Sequence, residues 1–117
     1  MTKQEVFDDT IKYYSEDPSR RAVCPDNDGC FYWSATSDKR CAIGRLIPED
    51  LAKEFAKANL PVTCIFSKLP NELQVHGEKF LTDLQFLHDI RRFWDGVGLS
   101  EQGKEHVALL RTRHGLK

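Results

Sequence analysis

Apolar residues recur with helical spacing from the start of the chain. Val6, Phe7, Thr10, Ile11 and Tyr14 fall at i, i+3 and i+4 intervals, with Asp8, Asp9 and Lys12 off that stripe, which predicts an amphipathic helix over residues 3–15. Thr2 and Glu5 have the spacing of a capping box, and Asp17-Pro18 ends the helix because a residue before proline is pushed out of the α region. A second stripe, Leu51, Ala52, Phe55, Ala56 and Ala58, follows Pro48-Glu49-Asp50, a proline at a first turn and two acids suited to a helix N-terminus. Asn59 and Pro61 stop it. Pro70-Asn71-Glu72 opens another helical region that Gly77 interrupts. From Glu78 to Trp94 the apolar positions (Phe80, Leu81, Leu84, Phe86, Leu87, Ile90, Phe93, Trp94) exceed one stripe, so this helix should be buried on several sides and form the centre of the core. After the loop 95–98, Ser100 caps a last helix that carries Glu101, Val107, Leu109 and Leu110 and frays near Gly115.

Between the first two helices the pattern changes. Residues 18–29 are loop-forming, with Asp28-Gly29 suited to a tight turn; Asp26-Asn27-Asp28-Gly29 has neither the further ligand spacing nor the closing glutamate of a calcium loop. Cys30–Ser34 is aromatic-rich and Arg40–Gly44 suits a partner, so these stretches predict a β-hairpin across the polar linker 35–39. Alternation puts Cys30, Tyr32 and Ser34 on one face, and Phe31 and Trp33 on the other. Gly44 ends the second strand or admits a close backbone approach. Residues 62–66 are β-branched and apolar, either a short buried strand or an extended connector. The expected architecture is α+β: a hairpin of two, possibly three, short strands packed against about four helices, in one domain over 1–117.

Composition narrows the function more than the fold. The 117 residues are 40% hydrophobic and 30% charged, an ordinary globular balance. Seventeen basic against 18 acidic side chains give a net charge of -1, which removes the usual electrostatic case for a dedicated nucleic-acid binder. The N-terminus has no apolar signal core and no apolar run reaches the roughly 20 residues that span a bilayer. A cytoplasmic setting is expected, with the four cysteines (Cys24, Cys30, Cys41, Cys64) read first as thiols.

Three short segments carry a resemblance. Cys30-x-Tyr32, then Cys41-Ala42-Ile43-Gly44-x-Leu46-Ile47-Pro48, then Leu84-Gln85-x-x-His88-Asp89 resemble a pattern in small uncharacterised proteins of tailed phages and prophages. The similarity spans about residues 30–114 and leaves out the first helix. It implies a phage or prophage source and a host-cytoplasm setting, and, by analogy with small phage proteins that bind host factors, an interaction role. It implies no particular activity.

Three constellations could carry chemistry. Cys41, near a strand end, could be a nucleophile with His88 as its base. Asp89, 100° round the helix from His88, is poorly placed to orient the ring, whereas Gln85 shares its face and is the better orienter. Alternatively, Cys41 is a small buried hydrophobe and His88 a satisfied polar group. Cys24, Cys30 and Cys41 with one of His76, His88, Cys64 or His106 would make four zinc ligands, but the five, ten and twenty-two residues between successive cysteines lack the paired spacing of structural zinc sites. Finally, Arg91, Arg92, Arg111 and Arg113, with His114 and Lys117, could form one basic face near Trp94; the alternative is solvated cations near helix C-termini. The preferred reading is a phage accessory protein that binds a host or phage protein, without cofactor. The runner-up is a small cysteine-dependent hydrolase or transferase, and a nucleic-acid-associated protein comes third.

Overall fold

The computed structural model describes residues 1–22, 32, 34, 39–58 and 60–117. Helix α1 (Lys3–Glu16) forms with the capping box its sequence predicts: Thr2 Oγ1 accepts from Glu5 N at 3.1 Å and Thr2 N donates to Glu5 Oε1 at 2.9 Å. Val6, Phe7, Thr10 and Tyr14 are its buried face. The helix stops at Asp17-Pro18, and the Asp17 carboxylate caps the 3-10 turn Pro18–Arg20 that follows. Helix α2 (Glu49–Ala58) buries Ala52 and Phe55.

The segment 62–66 is helical, not extended. Helix α3 (Val62–Ile65) is one turn that buries Val62 and Ile65 and runs into a 3-10 turn at Phe66–Lys68. A spacing of three between buried residues favours this turn over a strand. Helix α4 (Asn71–Gln74) ends at the C-cap Val75, and Gly77, the foreseen interruption, separates it from the next helix with a φ of +93° that suits glycine. Helix α5 (Glu78–Asp89) is the centre of the core and buries Phe80, Leu81, Leu84 and Leu87, together with Asp83, Gln85 and His88.

The predicted helix to Trp94 is five residues too long. Ile90 turns extended, Arg91–Phe93 form a 3-10 turn, and Trp94–Asp95 (β1) pair antiparallel with Gly98–Leu99 (β2). Side chains take over the carbonyls at the end of α5. Trp94 Nε1 donates to Leu87 O at 2.8 Å, and Arg21 Nε and Nη2 donate to His88 O at 2.6 Å and Asp89 O at 3.0 Å. These bonds satisfy groups that a helix end otherwise leaves to water. Helix α6 (Glu101–Arg113) starts at Ser100, whose Oγ accepts from Gly103 N at 3.1 Å.

The fold is α+β, as expected, but the observed two-stranded hairpin is 94–99. The expected second strand, 40–44, is instead a turn leading into a 3-10 turn at Gly44–Leu46. Cys41, Ala42, Ile43 and Gly44 are all buried, so no in-out alternation exists to fix a strand register. Its carbonyls accept locally: Cys41 O from Arg45 N at 2.9 Å, and Ile43 O from Leu46 N at 3.0 Å. Gly44 does admit a close approach, since a Cβ there would lie 2.0 Å from Tyr32 O. The expected first strand, 30–34, falls outside the described residues except for Tyr32 and Ser34. The radius of gyration, 13.3 Å, is close to the roughly 13 Å of one folded domain of this length.

Candidate functional site

Two places concentrate chemistry: a buried polar network at the C-terminal end of α5, and a surface groove between α5 and α6.

The network centres on His88, which is 1% exposed. Tyr14 from α1 lies edge-on to its ring, with centroids 4.9 Å apart. His88 Nε2 accepts from Ala22 N at 3.2 Å, so the ring proton sits on Nδ1, which donates to Asp89 Oδ1 at 2.8 Å. Burial lowers the pKa of His88; the bond to Asp89 and its charge act against burial, and Arg21 acts with it. Gln85 Oε1 accepts from Ile43 N at 3.2 Å, and Gln85 Nε2 donates to Asp89 Oδ1 at 2.7 Å. Gln85 therefore ties the 41–44 turn to the end of α5.

Orientation of the ring falls to Asp89, contrary to the expectation from helix geometry. The 100° separation holds for an ideal helix interior, but α5 ends at Asp89 and its carboxylate curls back to meet both partners. The Gln85 amide lies 3.5 Å from His88 Nδ1, an atom that already carries a proton, and bonds Asp89 instead. Gln85 is thus a brace for the residue that orients the ring.

Cys41 is wholly buried. Its Sγ accepts from Gly44 N at 3.3 Å, and among the described residues no hydrogen bond joins it to His88. The lone pair a base would use, on His88 Nε2, is occupied by a backbone amide. Among the described residues no group of three or more histidine, cysteine or acidic side chains is placed to hold a metal ion. Cys24 and Cys30, two of the three candidate zinc ligands, lie outside the described residues. Cys64 is an exposed thiol.

The four candidate arginines do not share one environment. Arg111 pairs with Asp8 at 3.2 Å and lies over the Phe7 ring. Arg113 pairs with Asp83 at 3.0 Å. Asp83 also takes Lys79 at 3.1 Å and His114 at 2.7 Å. Burial alone would raise the Asp83 pKa, but hydrogen bonds from His114, Arg113 and Lys79 outweigh it and hold the carboxyl below its ordinary value. Arg91 and Arg92 are exposed, and Arg92 lies over the Phe93 ring with no carboxylate partner among the described residues.

That ring begins the second site. Phe93 stacks on His106 with centroids 4.4 Å apart, and Phe86 closes an aromatic cluster at 6.0 Å from Phe93 and 5.7 Å from His106. These rings, with Leu109, line a groove of about 580 Å³ whose rim carries Arg92 and Glu105. Phe86 is 43% exposed and Leu109 is 48% exposed. Sequence reading assigned Phe86 to the core; its position on the α5 face opposite Leu81 and Leu84 could have flagged it. Comparison with protein-family models, with curated proteins and with solved structures finds no match.

Proposed function

We propose that this chain is a phage- or prophage-encoded accessory protein that acts by binding another protein, of host or phage origin, through the α5–α6 groove. The observation that carries this reading is the pair of large apolar side chains, Phe86 and Leu109, left in solvent side by side over an aromatic floor. Apolar side chains grouped on a surface and rimmed by polar residues mark contact sites, because covering them removes apolar area from water. Arg92, spread over Phe93 and open to a carboxylate, favours a partner segment that offers an apolar side chain beside an acidic one. The phage setting rests on the resemblance of the 30–48 and 84–89 segments. The enzyme reading loses ground because the Cys41 thiol is sealed and the His88 base is already engaged. The nucleic-acid reading loses ground because Arg111 and Arg113 are spent on Asp8 and Asp83.

The test is a pull-down from host lysate with the wild-type chain and with a Phe86→Ser/Leu109→Ser variant. Phe86 also packs against Phe93 and His106, so the variant should melt several degrees lower, and it is compared at a temperature where circular dichroism shows both chains folded. The expected result is a partner retained by the wild type and lost by the variant. Identical sets of retained proteins would refute the groove as the contact surface.

A further inference from the structure

A second device lies away from the groove, where residues 20–22 strap the end of α5. Arg21 reaches His88 O and Asp89 O, and Ala22 N reaches His88 Nε2, so three hydrogen bonds tie this strap to two adjacent residues. The bond from Ala22 admits only one form of the ring. A backbone amide can donate and cannot accept, so Nε2 must present a lone pair. The other ring nitrogen already holds its proton against Asp89. A second proton can therefore go only to Nε2, where it would meet the Ala22 N–H head-on, donor against donor.

The geometry points to an acid-operated latch: proton uptake at His88 Nε2 expels the Ala22 amide and releases the strap 20–22 from α5 while the helical core stays folded. The proton comes from solvent and no covalent bond changes. Among the described residues, the charged and titratable groups that face the ring are Tyr14 from α1, Arg21 from the strap and Asp89 from α5 itself. Trp94 adds an uncharged ring beneath Arg21. On the 40–44 side, Arg40 turns away to pair with Glu49 at 3.5 Å and the Cys41 thiol bonds Gly44, leaving the Ile43–Gln85 bond as the uncharged link.

Two features set the direction. The new positive charge would lie beside the Arg21 guanidinium, which repels it and loosens the same strap a second time. The bonds lost all belong to residues 20–22, whereas α1 and α6 keep their own caps, at Thr2 and Ser100. Burial keeps the ring neutral at and above neutral pH, so the latch opens only below the ordinary histidine range of about 6.5. Release uncovers the last carbonyls of α5 and the face of Trp94 beneath Arg21.

The experiment is an NMR titration of the ¹⁵N-labelled full chain between about pH 7.5 and about pH 4.5, bracketing the histidine range. It follows the His88 ring nitrogens and the hydrogen-exchange protection of each amide, corrected for intrinsic rate. The expected result is a loss of Ala22 protection by about tenfold or more, the equivalent of one hydrogen bond, with the midpoint of the His88 ring titration. Amides in α6 and mid-α5 keep their protection. His88→Gln offers an acceptor near the position of Nε2 and takes up no proton, so it should hold Ala22 protected through the same range. Three results overturn the latch: Ala22 protection unchanged across the ring titration, Ala22 and α6 losing protection together, or His88→Gln losing Ala22 protection at the wild-type pH. If His88→Gln does not fold, the wild-type comparison of Ala22 with α6 decides by itself.

Discussion

Gln85→Leu separates a structural brace from a catalytic orienter. The substitution keeps the volume roughly constant and removes the amide's bonds to Ile43 and Asp89. Ile43 N–H, inside a turn whose residues 41–44 are all buried, loses its acceptor, which costs about 1–3 kcal/mol. Asp89 loses a charge-assisted bond of about 1.5–3 kcal/mol, part of which water restores because the Asp89 side chain is 19% exposed. The added apolar burial returns about 1–2 kcal/mol. The net loss is about 1–4 kcal/mol, and at about 4 °C per kcal/mol for a domain of this size the melting temperature falls by about 4–16 °C. Thermal unfolding followed by circular dichroism, with urea unfolding as a check, measures it. Gln85→Glu refines the test. It keeps the acceptor for Ile43 and sets a second carboxylate against Asp89, so its folded pKa rises. Its deficit relative to wild type is full above that pKa and shrinks as pH falls and the new acid protonates to donate as the amide did. A Gln85→Leu melting temperature within about 2 °C of wild type, or a Gln85→Glu deficit independent of pH, would refute the bracing role.

Other perturbations follow from the same contacts. Gly44→Ala drives a Cβ to 2.0 Å from Tyr32 O and should cost about 1–3 kcal/mol, while Gly96→Ala, with nothing within 4 Å of its Cβ, should leave the melting temperature unchanged or raise it slightly. Equal effects of the two in thermal melts would contradict the close approach at Gly44. Asp83 has a lowered folded pKa, so the stability it adds is present above its unfolded value of about 3.9 and is lost as pH falls through the lower folded value. Asp83→Asn should therefore lower stability at pH 7 and flatten its loss in acid, as seen in melts across pH; a wild-type acid profile in the variant would contradict this.

The helices were readable wherever local chemistry decides. The Thr2–Glu5 box, the Asp17-Pro18 stop, the Gly77 break and the Ser100 cap all act within a few residues and all stand where spacing put them. What escaped depends on distant partners. Arg21 truncates α5 from 67 residues away, and no pattern near Ile90 announces it. The Cys41–Gly44 run has strand-like composition, yet its Ile43 and Gly44 amides donate to Gln85 and to the Cys41 thiol, and its carbonyls accept from the turn that follows. Within the buried network, His88 and Gln85 stood out as polar residues on an apolar helix. Asp89 was discounted by ideal-helix geometry that a helix end does not obey. The groove was missed because Phe86 is as apolar as the core residues beside it, and its place on the α5 face opposite Leu81 and Leu84 was the one local sign of its exposure.

Binding through the α5–α6 groove requires that the interior Cys41 thiol serve the fold and that the working surface lie outside. Native-state alkylation with peptide mapping by mass spectrometry tests that requirement on the two described thiols. Cys64, exposed on α3, should be modified in the folded protein, and Cys41 only once denaturant opens the core. Modification of Cys41 at a rate comparable to Cys64 under native conditions would contradict the account.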